Sequence, residues 1–303
     1  MKKTLQHFLN RLPYIRGLHT QVETYKKNAC YPPGHYYSPI VSVEEVKARE
    51  EDIWKGLHTD GIPGIALNTE AQKALVRSFA AYYAEMPYGA GTQEGLRYRF
   101  DNPMYTYTDG IFLYSMLRHL TPKRMIEVGS GYSSSLMLDV NELFFSNAME
   151  LTFIEPYPKR LLDTISEEDA SRSTLLEKKV QDVPLSFFET LEKGDILFID
   201  STHVSKCGSD VNYILFDILP VLAPGVFIHF HDIFYPFEYP KGWVYGGRNW
   251  NENYILRAFL MHNETYSIRL FSHYLHQHHS DLFEALPLAR KNAGGNLWIE
   301  KTA

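Results

Sequence analysis

The sequence predicts an α/β fold, a largely parallel sheet flanked by helices and preceded by a helical N-terminal segment. Three observations predict it. Arg124–Ser135 reads RMIEVGSGYSSS, an apolar run at Met125, Ile126 and Val128 followed by Gly129-Ser130-Gly131. Behind the glycines, Leu136, Met137, Val140, Leu143 and Phe144 recur at helical spacing, so the stretch is buried strand, tight turn, helix. From there on, short apolar runs alternate with helical segments, the pattern of a parallel sheet. Several of those runs end on a polar residue: Glu155, Asp200, and His231-Asp232. Open α/β sheets bind ligands along that carboxyl edge.

Residues 1–105 contain no clear strand and are assigned to a helical cap. Leu5, Phe8, Leu9 and Leu12 make one helical face, with Lys2, Lys3 and Arg11 around it. Such a helix docks on its own domain or a second subunit, with a membrane surface as the alternative. Ser42-x-x-Glu45 and Thr69-x-x-Gln72 are capping boxes; the second opens a helix with Leu75, Phe79, Tyr82, Tyr83 and Met86 on one face. The connector GLRYRFDNPMYTYTDG carries Arg97, Arg99, Tyr98, Tyr105 and Tyr107, and is either solvated or laid over the ligand cleft. Thr108 or Asp109 then caps a helix that Thr121-Pro122 ends.

The second strand is Leu151–Glu155, and Glu155 at its end is placed to take two ribose hydroxyls. A weaker third strand covers Leu175, Leu176 and Val180. Asp182 after it either accepts from an adenine amino group or caps a helix. The fourth strand, Asp195–Ile199, ends in Asp200-Ser201-Thr202-His203; a helix from Ser209 to Leu219 follows. Pro224-Gly225 turns into GVFIHF, which ends in His231-Asp232. The next stretch, IFYPFEYPKGWVYGGRNW, is too irregular for one element and reads as a long ordered loop. Asn249-x-x-Glu252 caps a helix. Tyr266–Phe271 and Asn296–Lys301 are closing strands with an antiparallel edge. The run SHYLHQHH, with His273, His276, His278 and His279, reads as solvated surface.

Composition narrows the function. At 45% hydrophobic and 22% charged, the 303-residue chain is an ordinary globular protein. A net charge of −6 argues against a nucleic-acid partner. No apolar run is long enough for an integral membrane segment. Only Cys30 and Cys207 occur, in no metal spacing, so a reduced, cytoplasmic location is expected.

Glu127-Val128-Gly129-Ser130-Gly131-Tyr132-Ser133, Ile154-Glu155-Pro156, Phe198-Ile199-Asp200-Ser201-Thr202-His203 and His229-Phe230-His231-Asp232 stand in order along the chain. In this the chain resembles the class I S-adenosylmethionine (SAM)-dependent methyltransferases over roughly residues 106–301. More narrowly, it is similar to a bacterial group of small-molecule O-methyltransferase-like proteins with Ile-Asp-x-x-His and His-Asp strand ends. The resemblance implies a Rossmann-like seven-stranded sheet with an antiparallel last strand, making residues 106–303 a SAM-binding domain. It implies that Glu127, Gly129, Ser130, Gly131, Ser133, Glu155, Asp182 and Asp200 face the cofactor. Ser133 is a departure, since many members carry a third glycine there; a serine fits a helix start.

Methyl transfer needs alignment and a way to remove the acceptor's proton. His203 and His231 have the native pKa of a general base, and Asp200 stands beside them. In catechol-type O-methyltransferases a divalent metal ion occupies the corresponding place, and Asp200, His231 and Asp232 fall on those positions. His231 replaces an acid of that type. The expected substrate is a small molecule, with a hydroxyl as acceptor, and a homodimer is an option. Two other readings stay open: a SAM-binding module without turnover, and an NAD-dependent oxidoreductase. The latter is disfavoured by Ser134 where the dinucleotide fingerprint has its third glycine.

Overall fold

A computed structural model describes residues 9, 12–89, 91 and 93–303. The N-terminal amphipathic stretch around Leu5 and Phe8 therefore lies mainly outside the described residues. The chain forms two compact units. The described residues up to Ile53, together with Lys241–Asn249, make one; Trp54–Pro240 and Trp250–Ala303 make the other.

In the first unit, Ser42 Oγ accepts from Glu45 N and opens the short helix Val43–Ala48, as its capping sequence predicts. The inserted segment is tied in by Asn249, whose Oδ1 accepts from Val41 N at 3.0 Å. Tyr245 also donates its hydroxyl proton to Glu50.

The second unit is built on a seven-stranded sheet: β1 (Arg124–Val128), β2 (Glu150–Ile154), β3 (Thr174–Leu176), β4 (Ile196–Ile199), β5 (Phe227–Phe230), β6 (Tyr266–Phe271) and β7 (Leu297–Lys301). Their order is β3-β2-β1-β4-β5-β7-β6. β1 to β5 run parallel, and β7 is antiparallel to both β5 and β6. The fold is therefore the expected Rossmann-like sheet with an antiparallel last strand. Beyond their first residues β1 and β5, and all of β4, are buried on both faces, as the strands of a covered parallel sheet must be, with Glu127 and His229 the polar members of otherwise apolar runs.

Register decides where the site lies. Val128 pairs with both Ile154 and Ile199, and Ile199 pairs with Phe230. Four strands thus end flush, and the next residues, Gly129, Glu155, Asp200 and His231, stand in a row. Backbone bonds hold the row: Gly129 N to Ile154 O, Asp200 N to Val128 O, and His231 N to Ile199 O, at 3.0, 2.9 and 2.9 Å. Strand order reverses between β1 and β4, the switch point at which such sheets open a crevice.

Several local expectations change in three dimensions. Asn68, in a left-handed conformation, precedes the helix Thr69–Ala84, and Thr69 is already helical. Gln72 is fully buried; its Oε1 accepts from Phe271 N and its Nε2 donates to Leu67 O. The Ser209–Leu219 helix is broken by a π turn at Ile214–Ile218, yet Val211, Ile214, Leu215 and Ile218 all point inward as expected. The histidine run is not a solvated surface. His273 Nδ1 accepts from Tyr235 N, and His276 stacks on Phe283 at 3.8 Å. Burial pushes both imidazoles down to about 4, so they pack as neutral rings. The irregular stretch after Asp232 buries Ile233, Tyr235, Phe237 and Tyr239 in the core.

Residues 54–105, placed with the helical cap on sequence grounds, share a unit with the sheet. Their last part is fixed by Arg97. Its guanidinium meets Asp139 at 2.9 Å, Asp169 at 2.6 Å and Glu142 at 2.6 Å. Asp139 is fully buried and also accepts the backbone N–H groups of Arg97 and Tyr98. Removing the arginine strands a buried carboxylate. Arg97→Ala is expected to lower unfolding free energy by about 3 kcal/mol, read by urea denaturation; a change within experimental error would show that the network is only decorative.

Candidate functional site

The site is assembled at the carboxyl ends of β1, β2, β4 and β5. Gly129 leaves β1 at φ +85°, and a Cβ there would overlap the Asp200 carbonyl oxygen. Only glycine lets β1 and β4 approach this closely and also turn. Gly131 then starts the helix Tyr132–Phe145, with Gly131 N donating to Ser134 Oγ at 2.9 Å.

Glu127 lies beneath this turn. It is wholly buried and accepts from the hydroxyls of Ser133 and Ser134. Burial drives its carboxyl up to about 8, against the two serine bonds that oppose the shift. Glu127 lines neither chamber of the cleft. It braces the turn from below through Ser133 and Ser134.

Two chambers open above the strand ends. The first, about 400 Å³, is lined by Gly129, Glu155, Tyr157, Gln181, Asp200 and Ser201, among others. The second, about 280 Å³, is bounded by Tyr105, Ser130, Ser133, Arg160, His231 and Trp250, among others. Gly129, Glu155, Asp200 and Ser201 belong to both. Glu155 accepts Tyr157 N on Oε1 and Ser130 N on Oε2, at 2.8 and 3.3 Å. Each oxygen keeps a lone pair for a ligand hydroxyl. The buried hydroxyls of Ser130 and Ser201 have no hydrogen-bond partner among the described residues. An acidic residue aimed at a diol, bare glycine backbone and two spare hydroxyls fit a nucleoside cofactor. A larger cavity of about 650 Å³ lies at the opposite end of β1 and β2. It is walled by paired charges such as Arg124 with Glu150, and it faces the amino ends of the strands.

A cluster of charge closes the second chamber. His203, at φ +60°, directs Nδ1 to Glu252 Oε2 at 2.8 Å and Nε2 to Asp200 Oδ1 at 3.4 Å. Burial alone would lower its pKa, but the bonds to Asp200 and Glu252 hold it well above the ordinary histidine value. His231 Nε2 lies 3.5 Å from Asp232 Oδ1, and its ring sits 5.0 Å from Tyr105. Its Nδ1 is buried with no partner among the described residues. Burial opposes protonation of His231 too, and Asp232, Asp200 and Asp109 overcome it. Burial works to raise the Asp200 pKa, yet the two histidines leave it below the usual carboxylate range. Asp109 is fixed by Gly295 N and Asn296 Nδ2, both at 2.8 Å, and burial lifts it to about 6.

The expected metal set does not fit a metal ion. Asp200, His231 and Asp232 are neighbours, but among the described residues no three His, Cys, Asp or Glu side chains converge as ligands. No step is therefore assigned to a metal.

Of the residues singled out by sequence, Gly129, Ser130, Gly131, Ser133, Glu155, Asp200, His203, His231 and Asp232 all line the cleft. Asp182 faces solvent, and its neighbour Gln181 lines the first chamber. Sequence reasoning missed Ser201, Arg160, Trp250 and Glu252. Glu252 had been read as part of a helix cap; it is a buried carboxylate beneath His203.

The state of Glu127 gives a test. A carboxyl with a folded pKa near 8 and an unfolded value near 4.5 is protonated in the fold first. The wild-type protein then loses stability as pH rises through that interval, with the loss complete above 8. Glu127→Gln removes the titration, so its stability relative to wild type should climb from pH 5 to 8 and then level off, by up to about 1.4 kcal/mol per pH unit. Parallel denaturation curves across that range would contradict the assignment.

Several known proteins are similar to this chain. A family model described as a methyltransferase domain matches residues 126–233. An uncharacterized protein of Archaeoglobus fulgidus is 36% identical over 170 residues, 55% of this chain and 76% of that protein. The chain is similar in structure to an S-adenosylhomocysteine (SAH)-bound methyltransferase of Podospora anserina, at 15% identity and a TM-score of 0.43, covering 86% of this chain and 96% of that one. It is also similar to an O-methyltransferase of tomaymycin synthesis from Streptomyces achromogenes, solved with SAM, at 13% identity and a TM-score of 0.40, covering 84% and 96%. With the strand order and the Glu127–Gly131 turn beside it, the family-model match assigns residues 126–233 to a methyltransferase domain.

Proposed function

We propose that this enzyme methylates a hydroxyl group of a small molecule, with His231 taking the hydroxyl proton. The observation that carries the reading is His231 on the wall of the second chamber with Asp200, its buried Nδ1 without a hydrogen-bond partner among the described residues. When bound, SAM supplies a methyl group already activated on a sulfonium. Glu155, Ser201 and the backbone at Gly129 are assigned to hold it in the first chamber together with Gln181, and Ser130 to meet it from the adjoining second chamber.

The two histidines divide the work expected of them. His203 is clasped between Glu252 and Asp200 and stays charged, so it is a poor proton acceptor. Its charge keeps Asp200 ionised on the shared wall. His231 lacks a second partner, and the raised pKa makes it a stronger base once it is deprotonated. Its working form then accumulates only above the ordinary histidine pKa.

The second chamber is small and edged by Tyr105, Tyr132 and Trp250, which favours a compact acceptor. The acidic net charge speaks against a nucleic-acid substrate. Two free, exposed cysteines suit a reducing cytoplasm, and no helix among the described residues is long and apolar enough to cross a membrane.

The test is methyl transfer from labelled SAM to a panel of phenols, sugars and hydroxy acids. His231→Gln should cut the rate by about 10²–10⁴-fold with SAM binding unchanged, and the wild-type rate should rise with pH past the ordinary histidine pKa. SAM binding without turnover on any acceptor, or full activity in the variant, would overturn the proposal.

A further inference from the structure

Glu252 is a carboxylate that the proposed chemistry leaves without a task. It is 1% exposed and opens the helix Glu252–Leu260. Its Oε2 meets His203 Nδ1, while its Oε1 has no hydrogen-bond partner among the described residues. The carboxylate is not there to satisfy a neighbouring backbone group. Burying a carboxylate is costly unless a partner compensates it, and the imidazole is that partner.

The surrounding backbone is shaped to make this contact. His203 sits at φ +60°, a conformation that non-glycine residues avoid. Its carbonyl oxygen accepts from both Asn251 N and Glu252 N, at 3.1 and 3.2 Å. Asn251 grips the same loop two residues on, with Oδ1 accepting from Ser205 N and Nδ2 donating to Ser205 O. Trp250 covers the imidazole at 4.4 Å between centroids. Three consecutive residues, Trp250, Asn251 and Glu252, thus clamp the loop that follows β4. The far side of the clamped ring is Nε2, 3.4 Å from Asp200 Oδ1 and 3.8 Å from Asp232 Oδ2.

We propose that Glu252 is a positioning residue for the cofactor chamber, acting through His203 to hold the Asp200 carboxylate on the wall that both chambers share. The chain of contact is Glu252 to His203 to Asp200, and only its last member lines the first chamber. An ionised Glu252 fixes which ring nitrogen faces inward and keeps the ring able to donate from both nitrogens. Without it the imidazole is free to turn, and Asp200 loses its partner. The inference rests on the assignment of the first chamber to SAM.

SAH titrated by calorimetry into the purified full chain tests this without any acceptor. Glu252→Gln keeps the shape of the side chain, so the fold should persist, with a melting temperature close to wild type. Expected losses of SAH affinity are about 5-fold for Glu252→Gln and about 10-fold for His203→Gln, with the double variant no worse than about 10-fold, because both act on one contact. Multiplying losses in the double variant would mean that Glu252 does not act through His203. Wild-type affinity in either single variant would remove the positioning role altogether. A wild-type chain that fails to bind SAH would instead sink the cofactor assignment, so the two failures are told apart.

Discussion

The structure depends on one close approach, the backbone of β1 against that of β4 at Gly129. The Asp200 carbonyl fills the space where any other residue would place a Cβ. That contact brings four strands to a common end and leaves a bare peptide surface where the chain turns into a long helix. A ligand with a sugar and a charged centre can then lie across the edge without meeting side chains. Glu127 supports the arrangement from beneath by meeting the first-turn serines, a neutral acid at physiological pH because nothing solvates it.

Charge in the cleft follows from the same geometry. Placing Asp200, His231 and Asp232 at adjacent strand ends puts like and opposite charges within a few ångströms of one another. Burial alone would discharge Asp200 and His231. Because they are mixed, the histidines gain protons and Asp200 keeps its charge. The two imidazoles differ in one respect: His203 has a dedicated carboxylate behind it, and His231 has an open nitrogen. The proposed division between a fixed charge at His203 and a proton acceptor at His231 rests on this difference.

Much of this was legible in the sequence. β1, β2, β4 and β5 are short, largely apolar runs bounded by turn signals, and β2, β4 and β5 are followed by a polar residue, a pattern that fits buried parallel strands. Their order then predicted which polar residues would meet, and Glu155, Asp200 and His231 do meet. What was not legible is what non-local packing decides. Glu252 lies 49 residues from His203, and nothing in Asn249-x-x-Glu252 separates a helix cap from a buried counter-charge. SHYLHQHH looks like surface because histidine is polar, yet neutral rings pack well against Phe283 and Tyr235. Asp182 is polar and follows a strand, but in the turn Val180–Asp182 it is exposed while Gln181 lines the first chamber, a placement that local backbone geometry decides.

A crystal structure of the chain with SAH addresses the central claim most directly. The account predicts the ribose hydroxyls on Glu155, with the Ser130 and Ser201 hydroxyls engaged and the sulfur turned toward His231. Density for the nucleoside in the larger cavity by Arg124 and Glu150, with Glu155 still bound only to its own backbone, would contradict it.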